Sequence, residues 1–292
     1  MISNNGKVAI VLEGGAMKAL YSSGVLDVFL EEGIAADALI GVSAGALFGV
    51  NYKTRQPGRA IRYNLKYIDD PRYFGLKSLI KTGDIMSKDF AFYTVPSKLD
   101  IIDSETFRQT PEEFYCVVAN MNTGKAEYIK IDDLDVMRQS EALRASGSLP
   151  YLSRPVEVDG QLYLDGGSID SIPLAKTLEM GFEKIIVILT KHRLFVRGKD
   201  SGLLPKLFYG KKYPEFARAL SCRNAEYTKQ FELVWKLEKE GRIFVFSPSE
   251  KVLCRCRSTP GTDKGQPAAA ARVAPRTAFD GLFIIRRLRR AQ

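Results

Sequence analysis

The chain has 292 residues, 45% of them hydrophobic, and a formal net charge of +9. That length suits one large domain or two small ones, with enough apolar residues for a sizeable core. The charge is uneven: residues 251–292 carry a net +8, which leaves about +1 for the rest, so the body has no basic excess of the kind nucleic acid requires and no nucleic-acid partner is expected.

In chain order, KVAIVL (7–12) reads as a buried strand from its length and β-branching. EGGA interrupts it, and from Met17 to Glu32 Leu20, Val25, Leu26, Phe29 and Leu30 recur at near-helical spacing until Gly33. DALIGV (37–42) is a second short strand, with a helix expected from about Ala44. This alternation predicts a parallel sheet with helices packed on it. Residues 57–110 read as helices and loops rich in Tyr, Phe and Lys. EFYCVVANM (113–121) and AEYIKI (126–131) are strands joined by a turn, and 133–146 is an amphipathic helix. VEVDGQLYL (156–164) carries the Asp-Gly signature of a hairpin. KIIVILT (184–190) is a further buried strand, 214–240 a long helical region, and IFVF (243–246) a last strand.

At about Glu250 the composition shifts to Ala, Arg, Pro and Gly without periodicity. Two readings of 251–292 stand: a disordered basic tail, or sequence that is not native in frame. The opening segment lacks the basic and long apolar regions of a secretory leader. No run approaches the roughly 20 apolar residues of a membrane span. The four cysteines, Cys116, Cys222, Cys254 and Cys256, show no metal-ligand spacing, and Cys116 reads as a buried strand residue. The expectation is therefore a cytoplasmic protein, with LFYGKKY (207–213) and the terminal FIIRRLRR as candidate contacts with an anionic membrane surface.

Chemistry concentrates in three segments. G-V-S-A-G places Ser43 between Gly41 and Gly45, at a strand-to-helix turn. Small flanking residues there let the chain fold sharply and present the hydroxyl, which suits a nucleophile. LEGGAMKA supplies the amides of Gly14, Gly15 and Ala16 at the end of the first strand, as donors for a developing oxyanion. A phosphate-binding turn is the competing reading, although neither common phosphate-loop motif is present. A serine also needs a base. Asp165, in LYLDGGSIDSIP, is one candidate, because Gly166 and Gly167 leave the backbone free to bring its carboxylate close to another element. Burial would raise its pKa toward that task. The single histidine, His192, is the other, in the chain order Ser, Asp, His of an α/β-hydrolase triad.

Taken together and in this order, GGAMKA, GVSAG and DGG resemble the motifs of the patatin-like phospholipases. ALRASGSLPYLSRPV, the SIP after the aspartate and KIIVILT are similar to that family too. The resemblance covers about residues 7–250 and is nearest to the bacterial, stand-alone branch. It implies a three-layer α/β/α fold with a mostly parallel central sheet, and one acyl-hydrolase domain over 1–250. It also implies a Ser43–Asp165 dyad with no histidine, an oxyanion hole at Gly14, Gly15 and Ala16, and Lys18 at the family's basic position. The implied substrate is a phospholipid or another acyl-ester lipid, and the implied chemistry uses no metal and no cofactor. Two alternatives stand beside it, a Ser-Asp-His esterase using His192 and a non-catalytic lipid-binding relative. Ala16 and Ala19 stand where the family usually has glycine. A positive φ at Ala16 would weaken the site.

Overall fold

The structure, a computed structural model, describes residues 6–252. Both readings of the tail after Glu250, including the terminal basic run and the cysteine pair at 254 and 256, fall almost wholly outside these residues. The strands, in chain order, are β1 (Val8–Leu12), β2 (Ala38–Val42), β3 (Glu113–Asn120), β4 (Ala126–Lys130), β5 (Val156–Val158), β6 (Gln161–Asp165), β7 (Lys184–Ile188) and β8 (Ile243–Phe246). They form one sheet in the order β5-β6-β3-β2-β1-β7-β8, with β4 also on β3. The β1, β2, β3, β7 and β8 pairings are parallel; β4 and the β5–β6 hairpin add antiparallel pairings at the β3 end.

The helices are α1 (Leu20–Glu31), α2 (Ala44–Lys53), α3 (Arg59–Tyr67), α4 (Leu76–Thr82), α5 (Ser104–Gln109), α6 (Met137–Ser146), α7 (Leu174–Glu179), α8 (Leu203–Tyr209), α9 (Pro214–Ser221) and α10 (Arg223–Lys239). A wide π-helical segment, Lys88–Leu99, lies between α4 and α5. Side chains alternate across each central strand, so the sheet has two buried faces. Ile10, Leu12, Leu39 and Ile186 pack with Tyr21, Leu26 and Phe29 of α1, Val50 of α2 and Leu143 of α6. Ala9, Val11, Ile40 and Val187 pack on the other side, with Leu174 of α7 and Phe231, Val234 and Leu237 of α10. The architecture is thus the expected three-layer α/β/α.

Local signals set several boundaries. Gly33, at φ 66, closes α1: its N–H donates to Leu30 and the next N–H, of Ile34, to Phe29, the paired bonds of a glycine C-cap. The first turn of the expected 17–32 helix is instead a tight 3-10 turn, Ala16–Ala19. The 133–146 helix starts only at Met137, because Gln139 Oε1 accepts the Asp132 and Asp133 amides and holds that stretch as a turn. The region 214–240 divides at Cys222, whose φ of −106° and ψ of 9° separate α9 from α10.

Phe29 has no exposed surface and meets Phe246 edge-on at 5.4 Å. Phe29→Ala should cost about 3–5 kcal/mol, read as a lower urea midpoint with an unchanged slope.

Candidate active site

The β3 register brings the two chemical motifs together. Val42, the last residue of β2, pairs with Val117, and on the same strand Val118 pairs with Asp165, the last residue of β6. Ser43 follows Val42, so one step along β3 sets it against Asp165. The Ser43 hydroxyl donates to Asp165 Oδ2 at 2.6 Å, and the Gly167 amide donates to Asp165 Oδ1 at 2.7 Å.

Ser43 is held in a conformation that side chains rarely adopt, φ 56 and ψ −132. Such backbone costs on the order of 1–3 kcal/mol and persists only where its surroundings enforce it. Serine at a helix N-cap ordinarily accepts from an amide of the first turn. Ser43 occupies the N-cap of α2 and makes no such bond. Its hydroxyl is committed to Asp165 instead. The flanking glycines explain how the turn closes. A Cβ on Gly41 would lie 2.7 Å from Ala46 Cα, and one on Gly45 would lie 2.6 Å from the Leu12 carbonyl oxygen. The elbow therefore folds onto its own helix and onto the end of β1 at once. Gly166 is under the same constraint, since its Cβ would meet the Val117 carbonyl oxygen at 2.3 Å.

The glycine loop lies directly beside the elbow: a Cβ on Gly14 would come within 2.9 Å of Ser43 Cβ. No acceptor among the described residues takes the Gly14 or Gly15 amide. Gly15 has φ 170 and ψ 20, and any side chain there would collide with Thr190. Ala16 is exposed and has φ 49, so the departure from glycine falls where the sequence expects it to matter. Lys18, in the same turn, is partly buried and donates its amide to the Gly15 carbonyl at 3.1 Å.

Several residues that hold this geometry carry no motif. The Ser43 amide donates to Ser146 Oγ at 2.9 Å, and that hydroxyl donates to the Val117 carbonyl at 2.7 Å. The Asp165 amide donates to the Ser148 carbonyl at 2.8 Å. Glu13, 1% exposed, accepts the Thr190 amide at 2.5 Å and the Tyr227 hydroxyl at 2.8 Å, and Thr190 Oγ1 donates to the Gly14 carbonyl. Arg223 donates Nε to the Gly167 carbonyl at 2.7 Å. The pattern ALRASGS contained Ser146 and Ser148 within the family-like stretch, but no spacing rule linked them to Ser43.

Asp165 is 2% exposed. Burial pushes its carboxyl up from the ordinary carboxylate range, opposed by the Ser43 and Gly167 hydrogen bonds and the Arg223 charge. His192, just after β7, sits edge-on to Phe195 at 6.2 Å, and among the described residues neither Ser43 nor Asp165 hydrogen-bonds it. Among the described residues no group of His, Cys, Asp and Glu is arranged to hold a metal ion. Cys116 is fully buried in β3.

Comparisons with known proteins agree with the motif set. The family model for patatin-like phospholipase matches residues 10–178, more than half of the chain, and the chain belongs to that family. It is 28% identical over 192 residues to the uncharacterized protein YjjU of Escherichia coli K12, which covers 63% of this chain and 52% of that one. It is 28% identical over 218 residues to the uncharacterized NTE family protein Rv2565 of Mycobacterium tuberculosis, 68% of this chain and 33% of that one. Lysophospholipase nte1 of Emericella nidulans is 28% identical over 191 residues, 62% of this chain and 12% of that one. The chain thus spans about half the length of the first relative and a third or less of the other two. VipD from Legionella pneumophila aligns with a TM-score of 0.41 at 13% identity, over 94% of this chain and 65% of that one.

Two substitutions test the supports. Ser146→Ala strands both the Ser43 amide and the Val117 carbonyl and should lower stability by about 1–3 kcal/mol in urea unfolding. Ala16→Gly relieves a left-handed alanine, about 1–2 kcal/mol, against an unfolded-state entropy cost of about 0.5–1 kcal/mol. Its urea midpoint should therefore stay level or rise slightly.

Proposed function

We propose that this chain is a serine lipid acyl hydrolase, of the phospholipase A or lysophospholipase type, working through a Ser43–Asp165 dyad. The observation that carries the reading is the 2.6 Å hydrogen bond from the Ser43 hydroxyl to a buried carboxylate, at a strained turn beside donor amides. Asp165 takes the Ser43 proton as Oγ attacks the ester carbonyl. The oxyanion is received by the amides of Gly14, Gly15 and Ala16, each such donor being worth about 3–4 kcal/mol of barrier. Collapse of the intermediate expels the alcohol portion, which leaves with the proton from Asp165. Water, activated by the same carboxylate, then releases the fatty acid. The scheme calls for no metal or cofactor. Arg223, bonded to the Gly167 carbonyl, adds positive charge beside the dyad.

An acyl chain has a seat close by. A cavity of about 130 Å³ lies against α2, lined by Leu47, Phe48, Tyr63, Tyr73, Phe92 and Val95 among others. Leu47 begins one turn beyond Ser43, to whose carbonyl its amide donates at 3.0 Å. Of the aromatic residues between 61 and 99, Tyr63, Tyr73 and Phe92 line this cavity, while Tyr67 and Phe90 meet edge-on within the local core. The names of the relatives support a lipid ester as substrate: a family of phospholipases, and one lysophospholipase.

With a short-chain p-nitrophenyl ester, Ser43→Ala and Asp165→Asn should each reduce turnover by a factor of about 10³ or more with unfolding midpoints close to wild type, whereas His192→Ala should keep it. Full activity in Asp165→Asn, or its loss in His192→Ala, would contradict the dyad. The raised Asp165 pKa also sets a pH dependence. Catalysis needs the ionised carboxylate, so kcat/KM should fall on acidification through an apparent pKa above the roughly 3.9 of an exposed aspartate. The stability effect has the opposite sense. Ionising this buried group disfavours the fold, so its contribution is full below the unfolded-state pKa and declines as pH rises through the folded one.

A further inference from the structure

The loop that holds Asp165 leads directly to an apolar surface that the proposed chemistry does not use. Ser148 accepts the Asp165 amide, and three residues on, Tyr151 and Leu152 are exposed. Tyr151 is packed edge-on against Phe208 of α8 at 5.2 Å, and its amide donates to the Tyr209 hydroxyl at 2.9 Å. On α8, Leu203, Leu204, Leu207 and Phe208 recur on one helical face, and Leu207 is 73% and Phe208 60% exposed. On the other flank of the loop, Leu152 accepts the Ile85 amide and Arg154 pairs with Asp84, just past the end of α4. There Leu76 and Ile80, one turn apart, are 66% and 85% exposed.

Two helices that expose large apolar side chains on either side of the loop leading from Ser148 mark an interaction surface. Its charge selects the partner. Lys77 and Lys81 stand among the exposed apolar residues of α4, and Lys206, Lys211 and Lys212 on or just after α8, all solvent-exposed. Residues 75–82 and 203–213 contain no Asp or Glu. The combination of apolar side chains that reach the acyl boundary with lysines at headgroup level is that of an interfacial membrane contact. Residues 251–292, at +8, are repelled by such a surface, and a second copy presents the same lysines to it.

We propose that α4, the Tyr151–Leu152 loop and α8 form a docking face for an anionic lipid bilayer, which holds the chain at the membrane where lipid esters lie. The purpose of the face rests on the lipid-hydrolase reading; its existence does not.

The test uses the full chain and vesicles of phosphatidylcholine alone or with phosphatidylglycerol. The Ser43→Ala chain, which cannot consume lipid, should co-sediment with the mixed vesicles and much less with phosphatidylcholine alone. In that background Leu207→Glu with Phe208→Glu should weaken binding by about tenfold or more, and Lys206→Ala, Lys211→Ala and Lys212→Ala together should abolish the preference for the anionic lipid. With Ser43 restored, all of these variants should hydrolyse a soluble short-chain ester at the wild-type rate, which separates loss of docking from loss of chemistry or folding. Unchanged vesicle binding in the α8 variants would overturn the proposal. So would a dimer in sedimentation velocity that the Leu207→Glu, Phe208→Glu pair dissolves, since that means that a second copy covers the face. Docking lost with ester turnover intact leaves the hydrolase reading standing; turnover absent with docking intact removes the hydrolase reading alone.

Discussion

Strand β3 is the constraint on which the site depends. Its register fixes Val42 against Val117 and Asp165 against Val118, and the two chain ends that leave the sheet at these points carry the hydroxyl and the carboxylate. The Val117 carbonyl also accepts Ser146, which in turn holds the Ser43 amide, and it packs against Gly166. One peptide of β3 therefore controls both partners. A one-residue slip in either pairing would separate Ser43 from Asp165 and turn every side chain of the slipped strand to the opposite core. The two-faced core resists such a slip, because both faces of β3 are fully packed: Cys116 and Val118 on one side, Val117 on the other.

The site carries its costs openly. Ser43 sits in a strained backbone state, gives up its own helix cap, and directs its hydroxyl at a carboxyl group buried at the expense of ionisation. None of these features helps folding. The stabilising elements lie around them: glycines that permit close approach at 41, 45 and 166, the Ser146 and Ser148 links, and Glu13 joining β1 to β7 and α10 through Thr190 and Tyr227. Local cost supported by dense surroundings is the expected pattern of a preorganised site.

Much of this was legible in the sequence. The short apolar runs at 7–12, 37–42 and 184–190 read as buried strands, and the strands occupy 8–12, 38–42 and 184–188; Asp159-Gly160 marked the hairpin that ends at Asp165. The pairing of Ser43 with Asp165 was readable because three motifs occur together in one order. What escaped was non-local. Glu13 looks like a plain loop carboxylate until β7 and α10 close over it, Ser146 lies 103 residues from the amide it holds, and helix α8 begins where exposed leucines would argue against a soluble surface. The late start at Met137 goes with the Gln139 side chain bonding the Asp132 and Asp133 amides, and the start of α10 after Cys222 with the Asp200 carboxylate accepting the Asn224 and Ala225 amides, neither of which helix propensity registers.

The claim that an aspartate alone activates Ser43 is tested most directly by covalent trapping. Intact-mass analysis after reaction with a fluorophosphonate should show a single adduct, mapped by peptide sequencing to Ser43, forming at similar rates in wild type and His192→Ala and far more slowly in Asp165→Asn. An adduct elsewhere, or a labelling rate in Asp165→Asn equal to wild type, would contradict the account.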